Sequence, residues 1–248
     1  MVILDFLAGI LFPSQNRCFS CEEEFFTQNP FCLCDSCLEK IKFINSTYCK
    51  ICGTKISGAG ELCLRCKDNS LKEITLARSL CEYDGIMKDV VHNFKYHNCQ
   101  YLAKYLSKML FDYYVHSNDF KDEDMILPVP ISKEKLKKRG YNQSNLLARN
   151  FEITNKVNYD ILTKIKETES QTTKNREERL KNLQGCFVVL DRSLIKGKKI
   201  LLIDDVFTTG ATCLTIAKLL KKCGAMQVKC LTLCSTTNYF LKDEAEKN

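Results

Sequence analysis

The chain has 248 residues, 45% of them apolar and 27% charged, with a formal net charge of +7. That is room for one α/β domain and a small module, with the balance of an ordinary soluble protein. Sixteen of the residues are cysteine, so the working charge depends on the state of their thiols, and net charge alone does not argue nucleic-acid binding.

Segment 1–12 is apolar, with Val2, Ile3, Leu4, Phe6, Leu7, Ile10, Leu11 and Phe12. It lacks the basic start of a secretory signal, contains Asp5, and falls short of the ~20 residues that span a bilayer. A short helix packed on the body and ended by Pro13 is expected; a membrane-surface anchor is the lesser reading, since no basic face accompanies it. The cytoplasm is the expected compartment, and an integral membrane protein is not expected.

Nine of the sixteen cysteines lie between Cys18 and Cys66. Eight form knuckles: Cys18-x-x-Cys21, Cys34-x-x-Cys37, Cys49-x-x-Cys52 and Cys63-x-x-Cys66, the first two separated by 12 residues and the last two by 10. Each pair of knuckles can close a tetrahedral four-cysteine zinc site. Sequential pairing is expected, with a cross-braced arrangement as the alternative. Such sites are full, so the metal is structural, and a module of roughly 50 residues has too little core without it. Cys32 falls outside the pattern.

A polar hinge at 68–72 divides the chain into a zinc module over 1–70, an α/β domain over 71–240 and a charged tail over 241–248. Residues 74–83 read as a strand. Asp84 can cap a helix carrying Met87, Val90, Val91 and Phe94, which ends on Phe94-Lys95-Tyr96-His97. His92 and His97 are five apart and share no face well, which argues against metal. A second amphipathic helix carries Leu102, Leu106, Met109 and Leu110. Residues 125–130 are a short buried strand in which Pro128 hints at an edge. A basic stretch follows, with Lys133, Lys135, Lys137, Lys138 and Arg139, and then Gly140-Tyr141-Asn142-Gln143-Ser144 opens a helix running through Phe151. A lysine-rich run is often a solvated helix face. A basic loop beyond the carboxyl end of a strand, however, suits a pyrophosphate. Residues 159–165 read as another strand. The polar stretch 166–184, with Gln171, Thr172, Asn175, Arg176, Arg179 and Asn182, has the composition of a functional lid or a disordered loop. Strands at 187–190 and 228–234 complete the set, and Cys81, Cys99, Cys186, Cys213, Cys223, Cys230 and Cys234 read as reduced core residues. This alternation predicts a parallel sheet with helices on both faces. There is no Walker A sequence and no Gly-x-Gly-x-x-Gly.

The organising stretch is 199–212. Ile200, Leu201, Leu202 and Ile203 form a buried strand. Asp204 and Asp205 sit where it is expected to end, and Val206-Phe207-Thr208-Thr209-Gly210-Ala211-Thr212 leads into a helix reaching about Cys223. Gly210 lets the backbone approach an anion, and the unpaired amides of the helix start carry the positive end of its dipole. Thr208, Thr209 and Thr212 add hydroxyl donors. The two acids would repel phosphate, so they should meet sugar hydroxyls or a metal. Phosphate beside vicinal hydroxyls describes a ribose 5-phosphate.

Residues 203–212 resemble the phosphoribosyl-pyrophosphate (PRPP) motif of type I phosphoribosyltransferases. The wider order is similar to the ComF (ComFC) family of bacterial competence-associated proteins, on four features: the cysteine module; Phe94-Lys95-Tyr96; Val129-Pro130 leading to Arg139-Gly140-Tyr141-Asn142-Gln143; and Gln171 through Arg179 and Asn182. The resemblance implies a type I phosphoribosyltransferase-like fold behind a zinc ribbon, linked to handling of single-stranded DNA. It also implies PRPP with Mg²⁺ as ligand: Asp204 and Asp205 on the ribose hydroxyls, 208–212 on the 5-phosphate, 130–139 near pyrophosphate and 166–182 as a closing loop. Arg139, Asn142, Gln143 and Arg176 are ligands by type. Consecutive strand residues point to opposite faces, so one acid reaches the sugar and the other braces the loop unless the strand has already turned. Two readings follow: transfer of phosphoribose to an acceptor that no segment identifies, or a non-catalytic DNA-handling factor that uses PRPP as a ligand. In the second, Tyr96 and Tyr141 would stack on bases. Docking of the zinc module to a DNA-translocation partner is a third.

Overall fold

A computed structural model describes residues 16–25, 31–45, 48–56, 60–68, 70–97, 99–167 and 176–236. The apolar segment 1–12, Gln171, Thr172, Asn175 and the tail 241–248 lie outside the described residues.

The zinc module is two ribbons built alike. In the first, β1 (Asn16–Arg17) and β2 (Glu24–Phe25) pair antiparallel around Cys18 and Cys21, and α1 (Asp35–Glu39) starts after Cys34 and carries Cys37. In the second, Tyr48 and Lys55 bridge around Cys49 and Cys52, and α2 (Leu64–Lys67) starts after Cys63 and carries Cys66.

The main sheet has four strands: β3 (Leu76–Glu82), β4 (Met125–Pro128), β7 (Lys199–Phe207) and β8 (Gln227–Ser235). Their order is β3-β8-β7-β4 and every pairing is parallel. β4 is an edge, which is why Pro128 is tolerated at its end. Alternation along β7 supplies two cores. Leu201 and Ile203 pack with α3 (Gly85–Tyr96) and α4 (Leu102–His116), while Ile200 and Leu202 pack with α8 (Ala211–Lys222). Helices therefore cover both faces, as the alternation predicts.

Three expectations change. The basic block is not a loop but a short helix, α5 (Lys133–Arg139). Ser132 caps it by accepting from the Lys135 amide, and Gly140, left-handed at φ +79°, ends it. The helix after it is also broken: α6 (Gln143–Leu147) gives way to a 3₁₀ turn over Arg149–Thr154. The third change concerns β5 (Leu162–Lys164) and β6 (Phe187–Val189), which pair antiparallel with each other outside the main sheet. Three-residue strands do not reveal their partner. Between them, α7 (Arg176–Leu183) occupies part of the polar stretch.

The ribbons clasp β3. The Ile44 amide donates to Leu80 O, the Glu82 amide to Lys42 O and the Ala77 amide to Ile51 O, at 2.7–2.9 Å, and Phe43 bridges Cys81 antiparallel. Gly53, at φ +68°, lies so close that a Cβ there would sit 2.7 Å from Ala77 O. Arg78 locks the second ribbon: it donates to Lys50 O, lies 4.9 Å from the Tyr48 ring centroid and pairs with Asp119 at 2.6 Å. Cys18, Cys34 and Cys37 join the core on the α3 side, whereas Cys49, Cys52, Cys63 and Cys66 join the α8 side. The double ribbon thus straddles the sheet edge.

Candidate PRPP and zinc sites

The eight knuckle cysteines converge as two groups, Cys18, Cys21, Cys34 and Cys37, and Cys49, Cys52, Cys63 and Cys66, with ligand sulphurs within 4.8 Å of one another in each. The Cys21–Cys34 and Cys52–Cys63 sulphurs stand 3.6 and 3.5 Å apart. Tetrahedral zinc with ~2.3 Å bonds needs sulphurs about 3.8 Å apart, so the donor sets fit zinc in the sequential pairing. All eight are free thiols, and Cys32 stands outside both groups. Four protein ligands leave no open position, which makes the zinc structural.

The second site forms at the carboxyl end of the main sheet. β7 does not stop at the acids but continues to Phe207. Asp204 and Asp205 therefore have different partners. The Asp205 carboxylate pairs with the Lys95 ammonium at 2.9 Å, nearly buried. Asp204 Oδ1 accepts from the Ser144 hydroxyl and from the Asp205 amide, each at 2.9 Å. Burial, and then the neighbouring Asp205 charge, push the Asp204 carboxyl up to about 7. Lys95 is held above the usual lysine range: burial acts against its charge, but the two carboxylates outweigh it. Burial likewise raises the Tyr83 phenol beside Lys95.

The following loop is tightly made. Gly210 caps α8 at φ +73°, and a Cβ there would come within 2.6 Å of Phe207. Thr209 is buried and its hydroxyl accepts from the Ala211 amide at 3.3 Å. Thr208 and Thr212 are half-buried. The next amides of the first α8 turn point beyond the strand end, where an anion is favoured.

The residues named by type scatter more. Arg139 is engaged with Tyr96: its guanidinium lies 4.9 Å from the Tyr96 ring centroid and donates to the Tyr96 hydroxyl at 3.3 Å. Asn142 is committed to its own loop, donating to Val129 O and Asn145 Oδ1 and accepting from the Ser144 amide. Gln143 is 2% exposed, and its amide nitrogen has no partner among the described residues. Arg176 opens α7. Tyr141 is buried, donating to Phe94 O, and offers no stacking face; Tyr96, 53% exposed, does.

Lys95 and Ser144, the partners of the two acids, carry no local signal of that role. Lys95 stands next to Phe94, which is wholly buried and aims the last turn of α3 inward. A further polar group gathers where α5 meets the end of β5. The Ser132 hydroxyl donates to the Glu167 carboxylate, whose other oxygen lies 3.7 Å from Lys135. Lys164, 8% exposed, is held below the usual lysine range by burial and then by Lys135, while Glu167 and Asp204 pull the other way. No helix among the described residues is long and apolar enough to cross a membrane.

Two family models match the chain. The phosphoribosyl transferase domain family matches residues 115–247, and the double zinc ribbon domain family residues 7–67. The chain is 32% identical over 209 residues to the competence protein ComFC of Bacillus subtilis, covering 81% of this chain and 83% of that one. It is 27% identical over 207 residues to competence protein F of Haemophilus influenzae, covering 79% and 87%. Among solved structures it aligns with the allosteric regulatory enzyme of purine biosynthesis at 20% identity and TM-score 0.32, over 51% of this chain and 24% of that one, so it spans about a quarter of that protein's length. The chain belongs to the phosphoribosyl transferase domain family and, with its double zinc ribbon, to the ComF/ComFC branch of competence proteins.

Proposed function

We propose that the chain binds PRPP with Mg²⁺ at the carboxyl end of the main sheet and transfers its phosphoribosyl group in the service of DNA uptake. The carrying observation is the juncture of β7 and α8: a left-handed Gly210 and outward amides directly after two acids held apart by separate partners. Residues 208–212 take the 5-phosphate. Asp204, turned to Ser144, meets the ribose hydroxyls, and Asp205, neutralised by Lys95, braces the loop. In the transfer, a nitrogen nucleophile displaces pyrophosphate from C1, positive charge grows on the ring and negative charge on the leaving group. Mg²⁺ carried with the pyrophosphate supplies part of the neutralisation. Basic side chains around α5 supply the rest.

The link to DNA uptake is supported by the competence relatives. A second reading, a non-catalytic factor that handles single-stranded DNA and uses PRPP as a ligand, draws on one observation: Tyr96 presents an exposed ring backed by Arg139, the pairing on which an unpaired base can stack. Calorimetry with PRPP and Mg²⁺, followed by pyrophosphate release over a panel of nucleobases and amines, separates the two. Binding with release supports transfer, and binding without release supports the second reading. No PRPP binding refutes the site.

A further inference from the structure

We propose that the first zinc ribbon is a thiol–disulphide switch. Cys21 is the point of attack on a low-molecular-weight disulphide, Cys34 completes the exchange, and the second ribbon stays closed. The switch is independent of the PRPP reading above.

The two ribbons match in spacing and differ in access. Each brings four cysteine sulphurs within 4.8 Å of one another. Sulphurs from facing knuckles stand 3.6 Å apart in the first ribbon, between Cys21 and Cys34, and 3.5 Å apart in the second, between Cys52 and Cys63. Cys21, however, is exposed, whereas Cys49, Cys52, Cys63 and Cys66 are between 0% and 9% exposed and lie in the core beside α8. Thr54 closes the second ribbon further: it is 2% exposed, with its hydroxyl 3.3 Å from the Cys52 sulphur. A zinc-bound cysteine is a thiolate, the form that attacks a disulphide, and the attack also needs the sulphur to be reachable. Cys21 meets both conditions.

The exchange balances with the disulphide alone. The Cys21 sulphur attacks one sulphur of the reagent. A bond forms between them, the reagent's S–S bond breaks, and its other half leaves as a thiolate. The Cys34 thiolate, 3.6 Å away, then attacks the Cys21 sulphur and expels the remaining half, also as a thiolate. Two cysteines are oxidised and one disulphide is reduced to two thiolates. Zinc is left with Cys18 and Cys37, half of its ligands, and is released.

The surroundings of Cys21 select the reagent. Glu22, Glu23 and Glu24 are exposed beside it, and the Glu23 carboxylate lies 3.7 Å from its sulphur. Arg17, donating to Glu22 O at 3.0 Å, is a single cation against these three acids. Such a local field favours a cationic disulphide over an anionic one. The effect also has a direction within the fold. Cys18, Cys34 and Cys37 share a core with α3, the helix that carries Lys95, so the first ribbon opens on the side that holds the acid pair.

The test is native mass spectrometry of the full two-zinc chain, treated without oxygen with cystamine, a cationic disulphide, or with dithiodipropionate, an anionic one. Peptide mapping locates the bonds formed. A one-zinc chain with a Cys21–Cys34 disulphide should accumulate, its first zinc leaving at least about tenfold faster than the second. Cystamine should act about threefold faster than dithiodipropionate at low salt, and the gap should close in high salt and in Glu23→Gln. Loss of both ions together, oxidation of the second ribbon first, or a mixed disulphide at Cys32 with both ions retained overturns the switch. Slower release in Cys32→Ser would give the second attack to Cys32 and overturn the role of Cys34. Cystamine no faster than dithiodipropionate overturns the charge preference, while ordered zinc loss upholds the switch.

Discussion

Replacing Asp204 by Asn should make the protein more stable above neutral pH while weakening its ligand. Asn keeps an oxygen that can accept from the Ser144 hydroxyl and the Asp205 amide, so the substitution removes a charge and little else. The wild-type carboxyl rises from 3.8 to about 7 because burial and Asp205 oppose its ionisation. A carboxyl whose folded pKa exceeds its unfolded one binds its proton more tightly when folded. Its contribution is thus present below about pH 4 and is lost as pH rises toward 7. A three-unit rise would set a ceiling of about 4 kcal/mol; since Asp204 is only half-buried, screening reduces the figure to roughly 1–2 kcal/mol. Urea unfolding at pH 4.5, 6 and 8 reads this directly. The gain of Asp204→Asn over wild type should grow with pH across that range and level off above 7, and calorimetry should show PRPP affinity falling at least tenfold. A variant less stable than wild type at pH 8, or a difference that ignores pH, refutes the reasoning. So does undiminished PRPP binding.

Lys95→Met strips Asp205 of its partner in a nearly buried place and should cost about 2–4 kcal/mol in urea unfolding; adding Asp205→Asn should recover most of that loss, and simple additivity would argue against the pair. Gly210→Ala forces a left-handed alanine whose Cβ collides with the buried Phe207 ring. About 1–3 kcal/mol of stability and most PRPP affinity should go, measured by unfolding and calorimetry. Lys229→Met should destabilise by about 3 kcal/mol, because Lys229 joins Asp122 and the buried Glu123 at 2.9 Å each, at the opposite end of the sheet. Its PRPP affinity should stay unchanged. Zinc released by thiol modification and read with a metal dye should reach two ions per chain, and a count of one or none contradicts the double site.

The knuckles were readable from spacing alone, because a four-thiolate zinc site needs little beyond two tight turns at a workable separation. The β7–α8 stretch was readable for a similar reason: its chemistry is contiguous. What escaped was everything that joins distant segments. Lys95 meets Asp205 across 110 residues and Ser144 meets Asp204 across 60, and neither lysine nor serine announces a partner. Arg139 has the right chemistry for pyrophosphate, but its sequence does not reveal that the last turn of α5 sets it against Tyr96. Tyr141 was grouped with Tyr96 as a stacking residue although one is core and the other surface; a tyrosine's sequence position does not say which. β5 and β6 read as strands of the main sheet because a three-residue strand looks the same in a detached antiparallel pair as in a central sheet. The basic block allows both a solvated helix face and a loop, and a serine cap with a left-handed glycine makes it a helix.

The clasp of the ribbons on β3 has a consequence for how the molecule behaves among its own copies. A terminal strand in a sheet offers a row of unused backbone donors and acceptors, the template on which like chains pair. Here residues 42–44 and 51 occupy that row, and they belong to ribbons whose four-cysteine groups would be tied by zinc. Metal starvation would do more than loosen a small module: it would bare a seven-residue strand that includes the buried Leu80 and Cys81 to any neighbour with a matching edge. The first sign of zinc loss is therefore expected to be sedimenting aggregates rather than a slow decline in ligand affinity.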